Sequence, residues 1–113
     1  FINENASMKK ALKLISEKKL GVLIVINKKK ITTGIITDGQ VRRSTQKNKD
    51  LESKIVKNIM TLNPISIKKN TLAAKALSIM NEKKITSLCV YDKSKKKTVG
   101  ILHIHNVLGA NIR

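Results

Sequence analysis

Thr37-Asp38-Gly39-Gln40 stands where an apolar run, Gly34-Ile35-Ile36, gives way to a polar, helix-like stretch. A threonine hydroxyl and the backbone N–H groups of a helix N-terminus can together hold a phosphate, and the helix dipole favours negative charge there. The plainer use of the same residues is capping of the helix by Thr37 or Asp38. Gly39 is expected to give the turn conformational freedom. Arg42 and Arg43 follow as guanidiniums able to meet a carboxylate or phosphate, or to form surface salt bridges instead. His103-Ile104-His105-Asn106 is a second polar cluster. On a strand, two histidines two apart would share a face and could begin a metal site, yet no further Cys, His or carboxylate cluster accompanies them. A ligand or interface hydrogen bond from His103 and ordinary surface packing are the other readings. Thr86 and Ser87 open another apolar run and are placed to line the floor of a cleft. No Ser–His–Asp or Cys–His set and no glycine-rich phosphate loop is present. The seven acidic residues are spread out, with no pair suited to acid–base work.

The elements that position these residues follow from an internal repeat. With Ala11-Leu12 placed over Ala76-Leu77, an offset of 65, Glu17-Lys18-Lys19 falls on Glu82-Lys83-Lys84 and Leu20, Leu23 and Val25 fall on Ile85, Leu88 and Val90. One extra loop residue moves the offset to 66; Gly34-Ile35-Ile36 then overlies Gly100-Ile101-Leu102, Thr37 overlies His103 and Val41 overlies Val107. Each copy opens with a helical stripe, Met8, Ala11, Leu12 and Ile15 or Ala73, Ala76, Leu77 and Met80. Asn5 or Ser7 is the expected cap of the first, Asn70 or Thr71 of the second. A β-branched run follows, Val22 to Ile26 or Ser87 to Tyr91, whose continuous apolar character suggests a strand covered on both faces. Polar turns at Asn27 to Lys30 and Asp92 to Lys97 lead to the second strands, and short helices near Gly39–Thr45 and Ile104–Ala110 close the copies. The expected fold class is therefore α/β (α+β): two pseudo-symmetric helix–strand–strand–helix repeats with small sheets packed against helices. The division is 1–46 for the first copy, 47–54 for a polar connector and 55–113 for the second. Ile55 to Met60 reads as a helical turn, and Ile65-Ser66-Ile67 as a short strand after Pro64. A copy of about 55–60 residues is marginal alone; pairing two would also create clefts in which small ligands bind.

Bulk properties narrow the functions. The chain has 113 residues, 41% hydrophobic and 2% aromatic, so its core is aliphatic. The longest apolar run, Gly21 to Ile26, is strand-sized, far short of the roughly 20 residues of a membrane helix. A start at Phe1 without a secretory signal reads as a piece of a longer protein. The single cysteine, Cys89, has no internal disulfide partner; it reads as a buried small hydrophobe and, with no signal, suggests the cytoplasm. The net charge of +17 invites a nucleic-acid partner. Against that, the lysines are scattered, the only arginines are Arg42, Arg43 and Arg113, and aromatics to stack on bases are scarce.

Asn58-Ile59-Met60-Thr61-Leu62-Asn63-Pro64 resembles the D-I-M-T-x-x-P opening of a cystathionine-β-synthase-type (CBS) motif, and Gly34-Ile35-Ile36-Thr37-Asp38-Gly39-Gln40 resembles its G-I-V-T-x-x-D exit. The resemblance spans the chain, with the opening segment of the first motif lacking. It implies a tandem CBS pair that senses a nucleotide-type small molecule. Narrower likeness is present too. Gly34 to Arg43 is similar to the G-I-F-T-D-G-D-L-R-R segment of arabinose 5-phosphate isomerases, Gly100 to Leu108 to their G-V-L-H-M-H-D-L-L, and Lys84 to Ser87 to their H-I-T-S. That family implies a preceding sugar-isomerase (SIS) domain, interconversion of ribulose 5-phosphate and arabinose 5-phosphate, and a place in Kdo and lipopolysaccharide synthesis. It also implies CMP-Kdo as a feedback effector, no resident cofactor, and homodimers of CBS pairs within a tetrameric parent. The exit carboxylate that accepts ribose hydroxyls in nucleotide-binding CBS domains is Gln40 in one copy and Asn106 in the other; an amide oxygen still accepts, without the help of charge. A purely structural pair that holds an oligomer together is the alternative.

Overall fold

The computed structural model describes residues 1–18, 21–47 and 49–106. The chain forms two compact units, Phe1–Pro64 and Ile65–Arg113.

The first unit runs β1 (Ile2–Asn3), α1 (Met8–Lys18), β2 (Val22–Ile26), β3 (Thr32–Thr37), α2 (Asp38–Lys47), a single 3₁₀ turn (Leu51–Ser53), α3 (Val56–Ile59) and β4 (Thr61–Leu62). Its sheet has the order β1-β2-β3-β4; β1 lies parallel to β2 and the other pairs are antiparallel. The helical stripe is the buried face of α1: Met8, Ala11 and Ile15 pack with Leu23, Val25 and Ile36. The Ser7 hydroxyl caps the helix, accepting the Lys10 N–H at 3.2 Å. Val22, Leu23, Ile24 and Val25 are all buried, which accounts for the unbroken apolar run. The Asn27 side chain organises the hairpin turn by accepting the Lys29 and Ile31 N–H groups at 2.9 and 3.0 Å.

Residues 55–62, which open the second motif in sequence, fold onto this first unit. The Val56 N–H donates to the Ala6 carbonyl and the Lys57 N–H to the Glu4 carbonyl, both at 2.9 Å. Val56 is wholly buried beside Leu51, and β4 pairs Gly34 with Leu62 and Ile35 with Thr61. The second copy expected from residue 55 thus opens inside the first compact unit, which extends to Pro64.

The second unit runs β5 (Ser66–Lys68), α4 (Ala73–Lys83), β6 (Ser87–Tyr91) and β7 (Thr98–His103), with β5 parallel to β6 and β6 antiparallel to β7. Ile67, Ala76, Met80 and Leu88 form its core. Neither Asn70 nor Thr71 caps α4. The helix starts at Ala73, which puts Leu72 at the cap with no side-chain cap bond, while the Thr71 N–H closes a backbone turn to the Lys68 carbonyl just before it. Lys84 ends α4 in the left-handed conformation at φ 57°. Helix resumes at Ile104 to Asn106; the rest of the closing helix expected to Ala110 lies outside the described residues, as do Lys19, Leu20 and Val107 of the repeat alignment.

Strand register repeats between the units. Val22 pairs with Thr37 as Ser87 pairs with His103, and the ladder slips between Val25 and Ile26 as it does between Val90 and Tyr91. The extra residue of the second copy is thus confined to its hairpin loop.

Candidate functional site

Each unit presents a strand-to-helix turn where β3 or β7 ends. In the first, Thr37 closes β3 and its hydroxyl accepts the Gln40 N–H at 3.2 Å, so the threonine caps α2. Asp38 begins the helix, exposed, with its N–H bonded to the Gly21 carbonyl at 2.9 Å. Gly21 sits at φ +72°, and a Cβ built on it would lie 3.2 Å from Asp38 Oδ2; a side chain there would be strained and would crowd the carboxylate. The conformational freedom expected of Gly39 belongs to Gly21 instead, since Gly39 lies within the first turn of α2. What Gly39 provides is room: a Cβ on it would stand 3.4 Å from Arg43 Nη1. Arg43 is thus folded back toward the turn; both it and Arg42 are exposed on α2.

Gln40 is the centre of this turn. Its Nε2 donates to the Ile59 carbonyl at the end of α3, which fixes the amide's orientation because a flip would set oxygen against oxygen. Among the described residues its Oε1 is buried without a hydrogen-bond partner. An unpaired buried acceptor costs about 1–3 kcal/mol, and such an atom in a folded protein calls for a donor from water or a ligand.

The second turn solves the capping problem differently. His103 takes the place of Thr37, and its Nδ1 accepts the His105 N–H at 3.1 Å. Asn106 Oδ1 reaches back to accept the His103 N–H at 3.0 Å, a reciprocal arrangement like a capping box. The strand face expected for the two histidines is not formed, because His103 is the last residue of β7 and His105 already lies in the helical turn. Their rings nevertheless meet, with centroids 4.7 Å apart and planes inclined by 31°. Burial, and then the charge of His105, hold the His103 imidazole below its usual pKa. No group of three metal-type side chains gathers among the described residues.

Ser87 faces His103 across the β6–β7 ladder. Its Oγ is buried, with no hydrogen-bond partner among the described residues. Thr86 is exposed and contributes its backbone carbonyl, which accepts the Ile104 N–H at 2.8 Å. Cys89 is buried, and burial pushes its thiol pKa up, opposed by a hydrogen bond with Thr98. The structure thus gathers Thr37, Asp38, Gln40 and Arg43 at one turn and Ser87, His103, His105 and Asn106 at the other.

Two features escape a reading of the sequence. One is the Ile59 carbonyl, whose role depends on where α3 docks. The other is a groove of about 390 Å³ within the second unit, lined by Ile67, Lys69, Val90, Gly100, Leu102 and Asn106 among others. Among the described residues no helix is long and apolar enough to cross a membrane.

A family model described as the CBS domain matches residues 1–46 and 56–113. The chain is 39% identical over 115 residues to an uncharacterized protein of Helicobacter pylori, covering all of this chain and 34% of that protein. It is 32% identical to the arabinose 5-phosphate isomerase KdsD of Salmonella typhi, over 98% of this chain and 33% of the isomerase. The chain therefore spans about a third of the length of these relatives. Among solved structures, CBSX2 in complex with AMP superposes with a TM-score of 0.81 at 27% identity, covering 98% of this chain and 85% of that one. A CBS-domain containing protein from Agrobacterium tumefaciens gives a TM-score of 0.87 at 19% identity, over 96% and 81% of the two chains. With the family model matched across both repeats and the register of the two strand ladders repeated, the chain belongs to the CBS domain family as a tandem pair.

Proposed function

We propose that this CBS pair is a regulatory sensor that binds a nucleotide or nucleotide-sugar at its strand-to-helix turns and modulates a SIS catalytic domain of the same polypeptide. The observation that carries this reading is Gln40 Oε1, a buried acceptor without a donor, at the position where the CBS exit carboxylate accepts ribose hydroxyls. Thr37 and the first turn of α2 stand beside it for a phosphate. Binding of AMP by CBSX2, a pair of the same fold, supports a nucleotide as the ligand class. The isomerase relatives support an aldose–ketose isomerase as the parent; CMP-Kdo as effector, a homodimer of CBS pairs in a tetrameric parent and a cytoplasmic setting in Kdo synthesis are what that resemblance would imply for the parent. Regulation requires that the effector bind two states of the parent with different affinity.

A second reading, an assembly element without a ligand, is favoured by the caps. Thr37, His103 and Asn106 all direct polar atoms to their own turns. A thermal-shift panel of AMP, ATP, S-adenosylmethionine, CMP and CMP-Kdo separates the two. A ligand at 100 times its dissociation constant adds about 2.7 kcal/mol of stability. Selective stabilisation by cytidine compounds supports feedback by the end product; an unmoved midpoint across the panel favours assembly.

A further inference from the structure

Lysines that look scattered along the sequence gather at one end of the second unit. β5 ends at Lys68, β6 ends at Tyr91 and β7 begins at Thr98; Lys68 pairs with Tyr91 and Tyr91 with Thr98, so the three strands share that end. The Lys69 N–H donates to the Tyr91 carbonyl at 2.7 Å, which holds the chain after β5 against the β6–β7 hairpin. The hairpin itself is closed by the Lys97 N–H on the Ser94 carbonyl at 3.0 Å. Six lysines, Lys68, Lys69, Lys93, Lys95, Lys96 and Lys97, are exposed there, and Asp92 is the only carboxylate in these segments.

Two aliphatic side chains stand at the same end. The turn from Lys68 to Thr71 sets Leu72 at the head of α4, largely exposed, and Val99, the second residue of β7, is 57% exposed. The arrangement is not a general property of so basic a chain. In the first unit the corresponding hairpin carries Lys28, Lys29 and Lys30, but there the N–H that bonds to the end of β2, at the Ile26 carbonyl, belongs to Glu4. A carboxylate thus stands where the second unit has the Lys69 ammonium. Ser7, the counterpart of Leu72, is a polar cap.

We infer that this end of the second unit docks peripherally on an anionic lipid surface, its lysines against the headgroup phosphates and Leu72 and Val99 entering the interface. Like charges crowded at one end of a sheet repel one another, and a surface of fixed negative charge relieves that repulsion. Lysine ammoniums are point charges that ask no particular geometry of the anion, and each one near an anionic bilayer is worth about fivefold in affinity. Aliphatic side chains beside a cationic patch suit the boundary between headgroups and acyl chains. A nucleic acid would use neither: the patch holds no arginine to read base edges, and Tyr91 is its only aromatic residue.

The test is co-sedimentation of the 113-residue chain with phosphatidylcholine vesicles containing about 30% phosphatidylglycerol. Binding is expected to these and not to phosphatidylcholine alone, and it is expected to weaken steeply between about 0.01 and 0.1 M salt as the Debye length shortens. Lys95→Gln, Lys96→Gln and Lys97→Gln together are expected to weaken it about a hundredfold. Lys28→Gln, Lys29→Gln and Lys30→Gln together remove the same charge from the first hairpin and are expected to change it by less than about threefold. All six positions are exposed, and melting midpoints taken alongside verify that both variants fold. Leu72→Ala is expected to weaken vesicle binding about fivefold without altering the weaker binding of a single-stranded oligonucleotide. The inference is overturned by no binding to the anionic vesicles at low salt, or by equal losses in the two triple variants, which would make net charge alone responsible. Tighter binding of the oligonucleotide than of the vesicles, with Leu72→Ala changing neither, also overturns it, in favour of a nucleic acid on this face.

Discussion

The Gln40 carboxamide donates to the Ile59 carbonyl while its own oxygen is buried unpaired. One residue thereby ties α2 to α3 and leaves an acceptor unpaired among the described residues. Gln40→Leu removes both groups: the Ile59 carbonyl loses its donor, but the orphaned acceptor goes with it. The expected net loss of stability is about 1 kcal/mol, read as a shifted urea midpoint with an unchanged m-value. Gln40→Glu keeps the size and sets a carboxylate against that carbonyl, and is expected to be the less stable of the two at neutral pH.

Gly34 and Gly100 occupy equivalent positions with opposite surroundings. Gly34→Ala drives a Cβ into the Thr61 carbonyl oxygen, backbone that moves only if β4 shifts. A loss of about 1–3 kcal/mol is expected. Gly100→Ala meets open space, and its effect is expected within about 0.5 kcal/mol. Urea melts of the two variants side by side check the contrast.

His103 makes the second unit sensitive to acid. Its pKa lies below the usual 6.5, through burial and then the charge of His105. A base whose pKa is depressed by folding binds protons more readily when unfolded, so its contribution is complete above 6.5 and is lost as pH falls through the folded value. Protonation also removes the Nδ1 lone pair that accepts the His105 N–H. Stability is expected to decline on acidification below that point. In His105→Ala the His103 pKa is expected to rise only part of the way back, because burial is the larger cause. Imidazole titration by NMR in both proteins reads this directly.

Met80 is almost wholly buried in the core of the second unit, whereas Leu72 at the head of α4 is 77% exposed. Met80→Ala is expected to cost about 2–5 kcal/mol; Leu72→Ala is expected to leave the thermal midpoint nearly unchanged. The same burial keeps the Cys89 thiol from alkylating reagents until the chain is denatured.

Much of this architecture is legible in the sequence, and for definite reasons. The stripe Met8, Ala11, Ile15 and the run Val22 to Ile26 are each fixed by their own periodicity, and the repeat alone sets Thr37 and His103 at corresponding turns. Interactions that depend on distant pairing are not legible. Nothing local says that Thr61 and Leu62 extend the sheet at β3, so the compact units divide at Pro64 although the family motif restarts at residue 56. The same pairing commits half of the Gln40 amide to Ile59, where sequence position alone suggests an open acceptor. The failed cap at Asn70 or Thr71 is a matter of one or two residues: a backbone turn to Lys68 occupies Thr71, and the helix starts at Ala73 with Leu72 at its cap.

The central claim, that a nucleotide-type ligand is recognised at Gln40 and Thr37, is tested most directly by calorimetric titration of the chain with AMP and with CMP-Kdo, in wild type and Gln40→Leu. Saturable binding of at least one of them is expected, weakened about tenfold by loss of the Gln40 acceptor, as for a hydrogen bond worth about 1.4 kcal/mol. Heats indistinguishable from dilution up to millimolar ligand, or undiminished binding to Gln40→Leu, would contradict it.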